Sequence, residues 1–395
     1  MKINSLDHKG RGICKIDGKI TFVKNALPDE IVEIKVTKSK KKYNEAIVTN
    51  YIKTSDKRVN VSCPYYKNCG GCQLLHLSYK EQLIFKQDKI INICNKYLNC
   101  NIKINNIIYD NNTYYRNKIS LQVNKKIGLY KQESNDIINI NHCLLCMKNI
   151  NSSIKLLHNI NTNKIRKIIL RTNDDSNLLI IEGNKNIDIS PIIKNFKNIV
   201  VKYDKYYLKK GKDYITQSLD KYNFRISRDS FFQINPFVTN KLYSYIKDIC
   251  IKCNSSNVLD LYCGTGSISI YISGAVKFVT GIEINENAVF DALQNKKINN
   301  ITNAKFICSD TKDIKITNYY DTIIVDPARA GLNNNIINEI LKSNSKYLIY
   351  VSCDPMTMVR DLNKLITKYN IESITPFDMF PNTYHVECVC VLKLK

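Results

Sequence analysis

Val258-Leu259-Asp260-Leu261-Tyr262-Cys263-Gly264-Thr265-Gly266-Ser267 decides how this chain is read. A short, mainly apolar strand pattern runs into a turn with two glycines, and a helical pattern follows. A second strand, Phe278 to Ile282, ends at Glu283, about 20 residues past the first glycine, where open α/β sheets keep an acid for ribose hydroxyls. A dinucleotide fingerprint wants a third glycine near Ser269, and none is there. Phe306 to Asp310 forms a third strand ending in an acid, and Asp321 to Val325 a fourth, ending in Asp326. The alternation predicts a Rossmann-like α/β domain, and the glycine turn suits S-adenosylmethionine better than NAD. Tyr262, Gly264, Ser267, Glu283 and Asp310 are the candidate lining of that site.

Tyr347 to Val351 reads as a further buried strand, with Ser352-Cys353-Asp354-Pro355 just beyond its carboxyl end. An inert, packed thiol is the plain alternative for any strand-end cysteine. Here an acid-and-arginine turn (Asp326-Pro327-Ala328-Arg329-Ala330-Gly331) and the triplet His385-Val386-Glu387 also interrupt apolar strands. Three such interruptions favour Cys353 as a nucleophile.

The chain has 395 residues, enough for two or three domains, and 59 Lys+Arg against 35 Asp+Glu give a net charge of +24. Such a surplus suits a polyanion, since phosphate contacts release counterions; compositional drift in a chain rich in Asn, Lys and Ile is the alternative. No apolar leader and no membrane-length run are visible, so the sequence predicts a cytoplasmic protein with no membrane partner, acting as a monomer. With 15 cysteines, metal binding or catalysis is favoured over a disulfide framework.

Residues 1–55 read as a small β unit of about five short strands, with a basic loop from Lys38 to Lys42 beside Tyr43. That composition fits an OB-like barrel that grips RNA. Next comes Cys63-Pro64-Tyr65-Tyr66-Lys67-Asn68-Cys69-Gly70-Gly71-Cys72, three thiols in ten residues with glycines that let the backbone fold tightly. Three clustered cysteines and a distant fourth suit a [4Fe-4S] cluster; zinc remains the alternative. Cys143 and Cys146 both qualify as the fourth ligand. Ser78-Tyr79-Lys80-Glu81 reads as a capping box opening a helix with Leu83, Phe85, Ile90, Ile91 and Ile93 on its apolar positions. Tyr114-Tyr115-Arg116 is either a nucleotide clamp or a strand edge. Phe231-Phe232-Gln233-Ile234-Asn235 precedes a helix carrying Leu242, Tyr245 and Ile246.

Together these motifs resemble the S-adenosylmethionine-dependent RNA uridine C5-methyltransferases over nearly the whole chain. The carrying residues are the TRAM-like start (Pro28-Asp29-Glu30, with Asp29 where that family usually has glycine), Cys-x5-Cys-Gly-Gly-Cys, Phe232-Gln233-x-Asn235, Asp326-Pro327-Ala328-Arg329-x-Gly331, Ser352-Cys353-Asp354-Pro355, and Phe380-Pro381-x-Thr383-x-His385-Val386-Glu387. The resemblance implies a TRAM domain at 1–55, a central β-rich iron–sulfur domain at 56–225 and a Rossmann-like catalytic domain at 226–395. It implies Cys63, Cys69, Cys72 and Cys143 as cluster ligands, Cys143 preferred because an asparagine follows it at Asn149 or Asn151. It further implies that the helix after Cys72 packs on the catalytic domain. The same resemblance implies that Cys353 adds to uracil C6, that Glu387 removes the C5 proton, that Asp326 and Gln233 hold the base or the cofactor, and that Arg329 orients the loop. Cluster-bearing members mostly act on ribosomal RNA, so 23S ribosomal RNA is the expected substrate, with transfer-RNA uridine 54 as the alternative. Radical methylthiotransferases need CxxxCxxC, which is absent; a non-catalytic RNA-binding module predicts loss of Cys353, Glu387 or the glycine turn, and all are present.

Overall fold

The computed structural model describes residues 1–98, 102–173, 175–204 and 206–395. Its carboxy-terminal part is built on a seven-stranded sheet: β1 (Asn257–Leu261), β2 (Phe278–Glu283), β3 (Ala304–Cys308), β4 (Thr322–Val325), β5 (Tyr347–Ser352), β6 (Tyr369–Phe377) and β7 (Glu387–Leu394). The spatial order is β3-β2-β1-β4-β5-β7-β6, and β7 runs antiparallel to both its neighbours. Strands such as Val258-Leu259-Asp260-Leu261 are buried on both faces because helices cover both sides. Val258, Val279, Ile324 and Ile349 enter one core, and Leu259, Leu261, Ile323 and Leu348 the other. The order reverses between β1 and β4, and chemistry collects in such a crevice beyond the carboxyl ends of the strands.

A second seven-stranded sheet holds the strands Lys118–Asn124, Lys126–Tyr130, Ile137–Asn139, Ile165–Thr172, Asn177–Gly183, Asn198–Tyr203 and Tyr206–Lys210. Ile169, Leu178, Ile180 and Val200 on one of its faces share a core with the helix Pro236–Lys252 and the hairpin Tyr214–Leu219/Tyr222–Ser227. That hairpin is fastened to the catalytic part: Asp291 accepts from the Ser227 amide and hydroxyl and pairs with Arg225 at 3.1 Å.

The amino-terminal residues form a five-stranded sheet from Ser5–Leu6, Gly12–Ile16, Lys19–Lys24, Ile31–Ser39 and Tyr43–Lys53. The first residues bind both of its sides: Ile3 donates to Glu30 O and Asn4 to Ile13 O, each at 2.9 Å. Asp29 takes φ 68°, so an Asp occupies the left-handed turn position where glycine is expected. Lys40 stands 5.7 Å from the centre of the Tyr43 ring.

The helix after Cys72 spans Tyr79–Tyr97 and packs on the catalytic part. Its buried line is Gln82, Lys86, Ile90 and Cys94, so its inner face is polar over the first two turns. Ser78 makes no side-chain cap, and Glu81 pairs instead with Lys57 at 3.2 Å, so the expected capping box does not form. Among the described residues no helix is long and apolar enough to cross a membrane.

Candidate active site

The glycine turn leaves β1 in strained geometry: Tyr262, Gly264 and Gly266 all have positive φ, at 65°, 53° and 74°. A Cβ on Gly266 would lie 2.6 Å from the Phe306 ring, so the turn packs on β3 with no room for a side chain. A non-glycine residue such as Tyr262 held at positive φ is the kind of strain that clusters at ligand sites. Glu283 closes the turn, accepting from the Gly264 amide at 3.0 Å and the Asn285 amide at 2.8 Å. An ionised carboxylate has about four acceptor positions, so two remain for a ligand. Tyr262 bonds to Thr311, next to Asp310, whose carboxylate caps Lys312 N at 3.0 Å and is held below its usual range by that bond and the Lys312 side chain. The Ser267 hydroxyl is engaged with Tyr243 OH at 2.9 Å. Beneath the turn, burial pushes the carboxyl of Asp260 up to about 7.

Three further groups converge at the neighbouring strand ends. Asp326 follows β4, Cys353 follows β5, and Glu387 opens β7; Val325 pairs with Tyr350, and Ser352 with Cys388. Strand register therefore sets all three along one edge. Burial, then Glu387 and Asp326, push the Cys353 thiol up to about 11, while Arg329 pulls it down. Burial and then Asp260 push Asp326 up to about 7, and burial and then Asp326 raise Glu387 well above the usual carboxylate range. Arg329 is exposed and favours the ionised forms of both Glu387 and Cys353. Asp354 caps the helix Pro355–Leu365 through Met356 N and Thr357 N, which fixes the backbone beside Cys353. Gln233 is 7% exposed; its carbonyl accepts from Asn117, leaving its side-chain amide uncommitted among the described residues. Asn235 caps the helix Pro236–Lys252 and donates to Met379 O at 3.2 Å. His385 stacks near Tyr384, and burial and then Arg329 bring its imidazole down to about 4.

One feature has no counterpart in the motifs. The helix Tyr79–Tyr97 grips the loop Asp378–His385 that leads into Glu387. Lys86 and Asp378, both fully buried, meet at 2.5 Å; Tyr79 OH donates to Asp378 at 2.8 Å, Gln82 to Asn382 at 3.1 Å, and Lys89 to Tyr384 O at 2.9 Å. The residues at 79, 82, 86 and 89 share one helical face, a spacing visible in sequence, but nothing there marks them as buried. Tyr115 belongs to the same support: it is 1% exposed and donates to Pro381 O at 3.1 Å, so it is not an exposed nucleotide clamp.

Cys63, Cys69, Cys72 and Cys143 line one cavity of about 650 Å³, with Gly70, Gly71, His142 and Arg116. Among the described residues no group of three or more His, Cys, Asp or Glu is gathered tightly enough to hold a single ion. Cys146 lies outside that lining, is fully buried and bonds to the Cys143 thiol, which is held down to about 6 chiefly by that contact. Asn151 braces the loop, accepting from Cys143 N at 2.8 Å and donating to the Cys143 and Cys146 carbonyls at 3.1 Å.

The sheet order, the strained glycine turn and the acid at the end of β2 define a Rossmann-like S-adenosylmethionine-dependent methyltransferase. More narrowly, the chain belongs to the tRNA (uracil-5-)-methyltransferase family, whose model matches residues 185–395, while residues 1–49 match the TRAM domain. It is 33% identical over 437 residues to an RNA methyltransferase of Staphylococcus aureus (strain COL), described as uncharacterized, covering 99% of this chain and 96% of that one. A similarly described RNA methyltransferase of Bacillus anthracis is 33% identical over 440 residues, covering 100% and 96%. The crystal structure of Pyrococcus abyssi tRNA (uracil-54, C5)-methyltransferase with S-adenosyl-L-homocysteine superposes with a TM-score of 0.82 at 27% identity, covering 99% of each chain. This protein is an S-adenosylmethionine-dependent RNA uridine C5-methyltransferase by family.

Proposed function

We propose that the protein methylates C5 of a uridine in 23S ribosomal RNA through a covalent bond between Cys353 and C6. The observation that carries this reading is the meeting of Cys353, Asp326 and Glu387 under the Arg329 charge. Uracil C5 is a weak nucleophile until a thiolate adds to C6. Burial and the neighbouring acids push the Cys353 thiol up to about 11, so its proton passes to Asp326 as Sγ bonds to C6, which leaves Glu387 ionised as the base for the later step. S-adenosylmethionine supplies the methyl group as a sulfonium, whose positive charge favours ionised carboxylates near it. Glu387 then takes the C5 proton, and the electrons of that C–H bond restore the C5–C6 double bond and expel Cys353. Gln233, with its free amide, holds the base edge; Glu283 takes the ribose hydroxyls, with Tyr262, Gly264, Ser267 and Asp310 around them.

In this reading residues 1–55 act as an OB-like TRAM barrel on RNA, the central part carries the cysteines, and the catalytic part, with hairpin 214–227 attached, does the chemistry. Cys63, Cys69, Cys72 and Cys143 hold a [4Fe-4S] cluster. A donor set of four thiols around one cavity suits it, and a cluster needs its cysteines further apart than one zinc ion does. Transfer-RNA uridine 54 is the second reading, favoured by the likeness to the Pyrococcus abyssi enzyme. Tritium release from RNA carrying 5-tritiated uridine tests the reaction. Release that depends on S-adenosylmethionine and Cys353 is expected, while methylated RNA without tritium release would rule the C5 reaction out.

A further inference from the structure

Lys86 fixes the beginning of the loop that leads to Glu387, and the loop is fixed again at Asn382, closer to the base. Asn382 is 1% exposed, and each of its polar groups is engaged. Its amide donates to Gln82 Oε1 at 3.0 Å, and its Oδ1 accepts from Gln82 Nε2 at 3.1 Å. Its Nδ2 donates to Asn112 O at 2.6 Å. Its carbonyl accepts from two successive amides, Gln73 N at 3.0 Å and Leu74 N at 3.1 Å. The residue holds φ 67°, a left-handed conformation that Asn tolerates better than most residues.

The two amides follow directly on Cys72, in a segment tied into the cysteine loop. Gln73 Nε2 donates to Gly70 O at 2.8 Å, and Gln73 O accepts from the hydroxyl of Tyr66, between Cys63 and Cys69, at 3.1 Å. Leu74 O accepts from Gln82 Nε2 at 3.1 Å, so one glutamine joins the cysteine segment to the catalytic loop. Beyond Asn382 the chain has little freedom before the base. Thr383 Oγ1 donates to Phe380 O at 2.8 Å and accepts from His385 N at 3.2 Å, and Glu387 pairs with Phe377 where β7 begins. Cys353 is held separately, by β5 and the Asp354 cap.

We propose that Asn382 is a positioning residue for removal of the C5 proton, seating the loop before Glu387 on the backbone that follows Cys72, so that the cysteine segment helps to hold the base. The inference rests on the proposed reaction and adds to it a residue that touches neither uracil nor cofactor. A general base works only within hydrogen-bond reach of its proton, about 2.6–3.2 Å. A displacement of about 1 Å costs on the order of 10²-fold. Attack by Cys353 and methyl transfer precede the use of Glu387, so a loosened Asn382 slows the last step alone. A buried polar network holds one geometry only while all its members are satisfied.

Asn382→Gly tests the assignment, because glycine accepts the positive φ and keeps the amide and carbonyl, while the side-chain bonds to Gln82 and Asn112 go. Gln82→Met removes the partner instead and is the second variant. Each is mixed in excess with RNA carrying 5-tritiated uridine and with methyl-labelled S-adenosylmethionine, beside the wild type and Glu387→Gln. Methyl incorporation, tritium release and the protein–RNA band on a denaturing gel are followed in time. In both variants methyl incorporation should stay within about two-fold of the wild type while tritium release slows about ten-fold or more, so that the Cys353-linked band builds up. Hydrogen exchange should rise over residues 379–386 and at Gln73 and Leu74, and stay at the wild-type level in β1 and β4. A band in Glu387→Gln but in neither Asn382→Gly nor Gln82→Met overturns the assignment and leaves the reaction standing. Equal slowing of methyl incorporation and tritium release, the mark of a merely structural residue, also overturns it. No band in Glu387→Gln either removes the covalent reaction, and the inference with it.

Discussion

Replacing Lys86 by Met tests how the catalytic loop is held. Lys86 and Asp378 are 292 residues apart in sequence, both fully buried, and joined at 2.5 Å. Met keeps most of the apolar stem and removes the ammonium. Asp378 then retains the Tyr79 hydroxyl at 2.8 Å but loses its cation, and Phe380 O loses a donor at 3.0 Å. Removing one partner of a buried pair costs about 3–5 kcal/mol, because the other charge stays buried. In a folding unit of 150–250 residues even the lower figure lowers the melting temperature by about 6–12 °C. Calorimetry should show that drop, and Lys86→Met/Asp378→Asn should recover most of it, since neither charge remains. The loop leads directly into Glu387, so kcat should fall in Lys86→Met while S-adenosylmethionine affinity holds. A single variant melting within about 2 °C of the wild type would refute the clamp.

Glu283→Ala should weaken S-adenosylmethionine binding by about 1.5–3 kcal/mol in calorimetry, with RNA affinity unchanged; equal cofactor affinity would reject Glu283 as the ribose acceptor. Asp260 has its folded pKa raised to about 7, so its protonation stabilises the fold below about pH 4 and that contribution is lost as pH rises through about 7. The melting temperature of Asp260→Asn relative to the wild type should therefore climb from about pH 5 to about pH 8, and a flat difference would mean that Asp260 is already ionised in the fold. Anaerobically purified protein should be brown with about four irons per chain, losing them in Cys63→Ala, Cys69→Ala, Cys72→Ala or Cys143→Ala but not in Cys146→Ala. A colourless protein carrying one zinc would contradict the cluster, and iron lost in Cys146→Ala but kept in Cys143→Ala would exchange the ligands.

The catalytic sheet was legible because its strands are short apolar runs that end in punctuation. Gly264 and Gly266 mark one turn, Asp326 and Pro327 another, Cys353, Asp354 and Pro355 a third. Parallel register makes the strand-end residues Asp326 and Cys353 neighbours, and the antiparallel β7 begins at the same edge with Glu387, so strand punctuation alone groups the three. The clamp was not legible. Gln82 and Lys86 occupy buried helix positions that a hydrophobic pattern assigns to Leu or Ile, and their partners Asn382 and Asp378 lie at the far end of the chain. The capping box at Ser78 fails because Glu81 finds Lys57, a contact that local sequence does not announce. Tyr114-Tyr115-Arg116 reads as a clamp or a strand edge because aromatic and basic residues adjoin there, yet the Tyr115 hydroxyl reaches Pro381 O and its ring is buried.

The central claim is that Cys353 bonds to the base before Glu387 takes its proton. Glu387→Gln keeps the side-chain shape and removes the base. Incubated with substrate RNA and S-adenosylmethionine, that variant should stall as a methylated, Cys353-linked adduct, seen as a slow-migrating protein–RNA band on a denaturing gel that disappears in Cys353→Ala/Glu387→Gln. Normal turnover by Glu387→Gln, or inactivity with no adduct, would contradict the account.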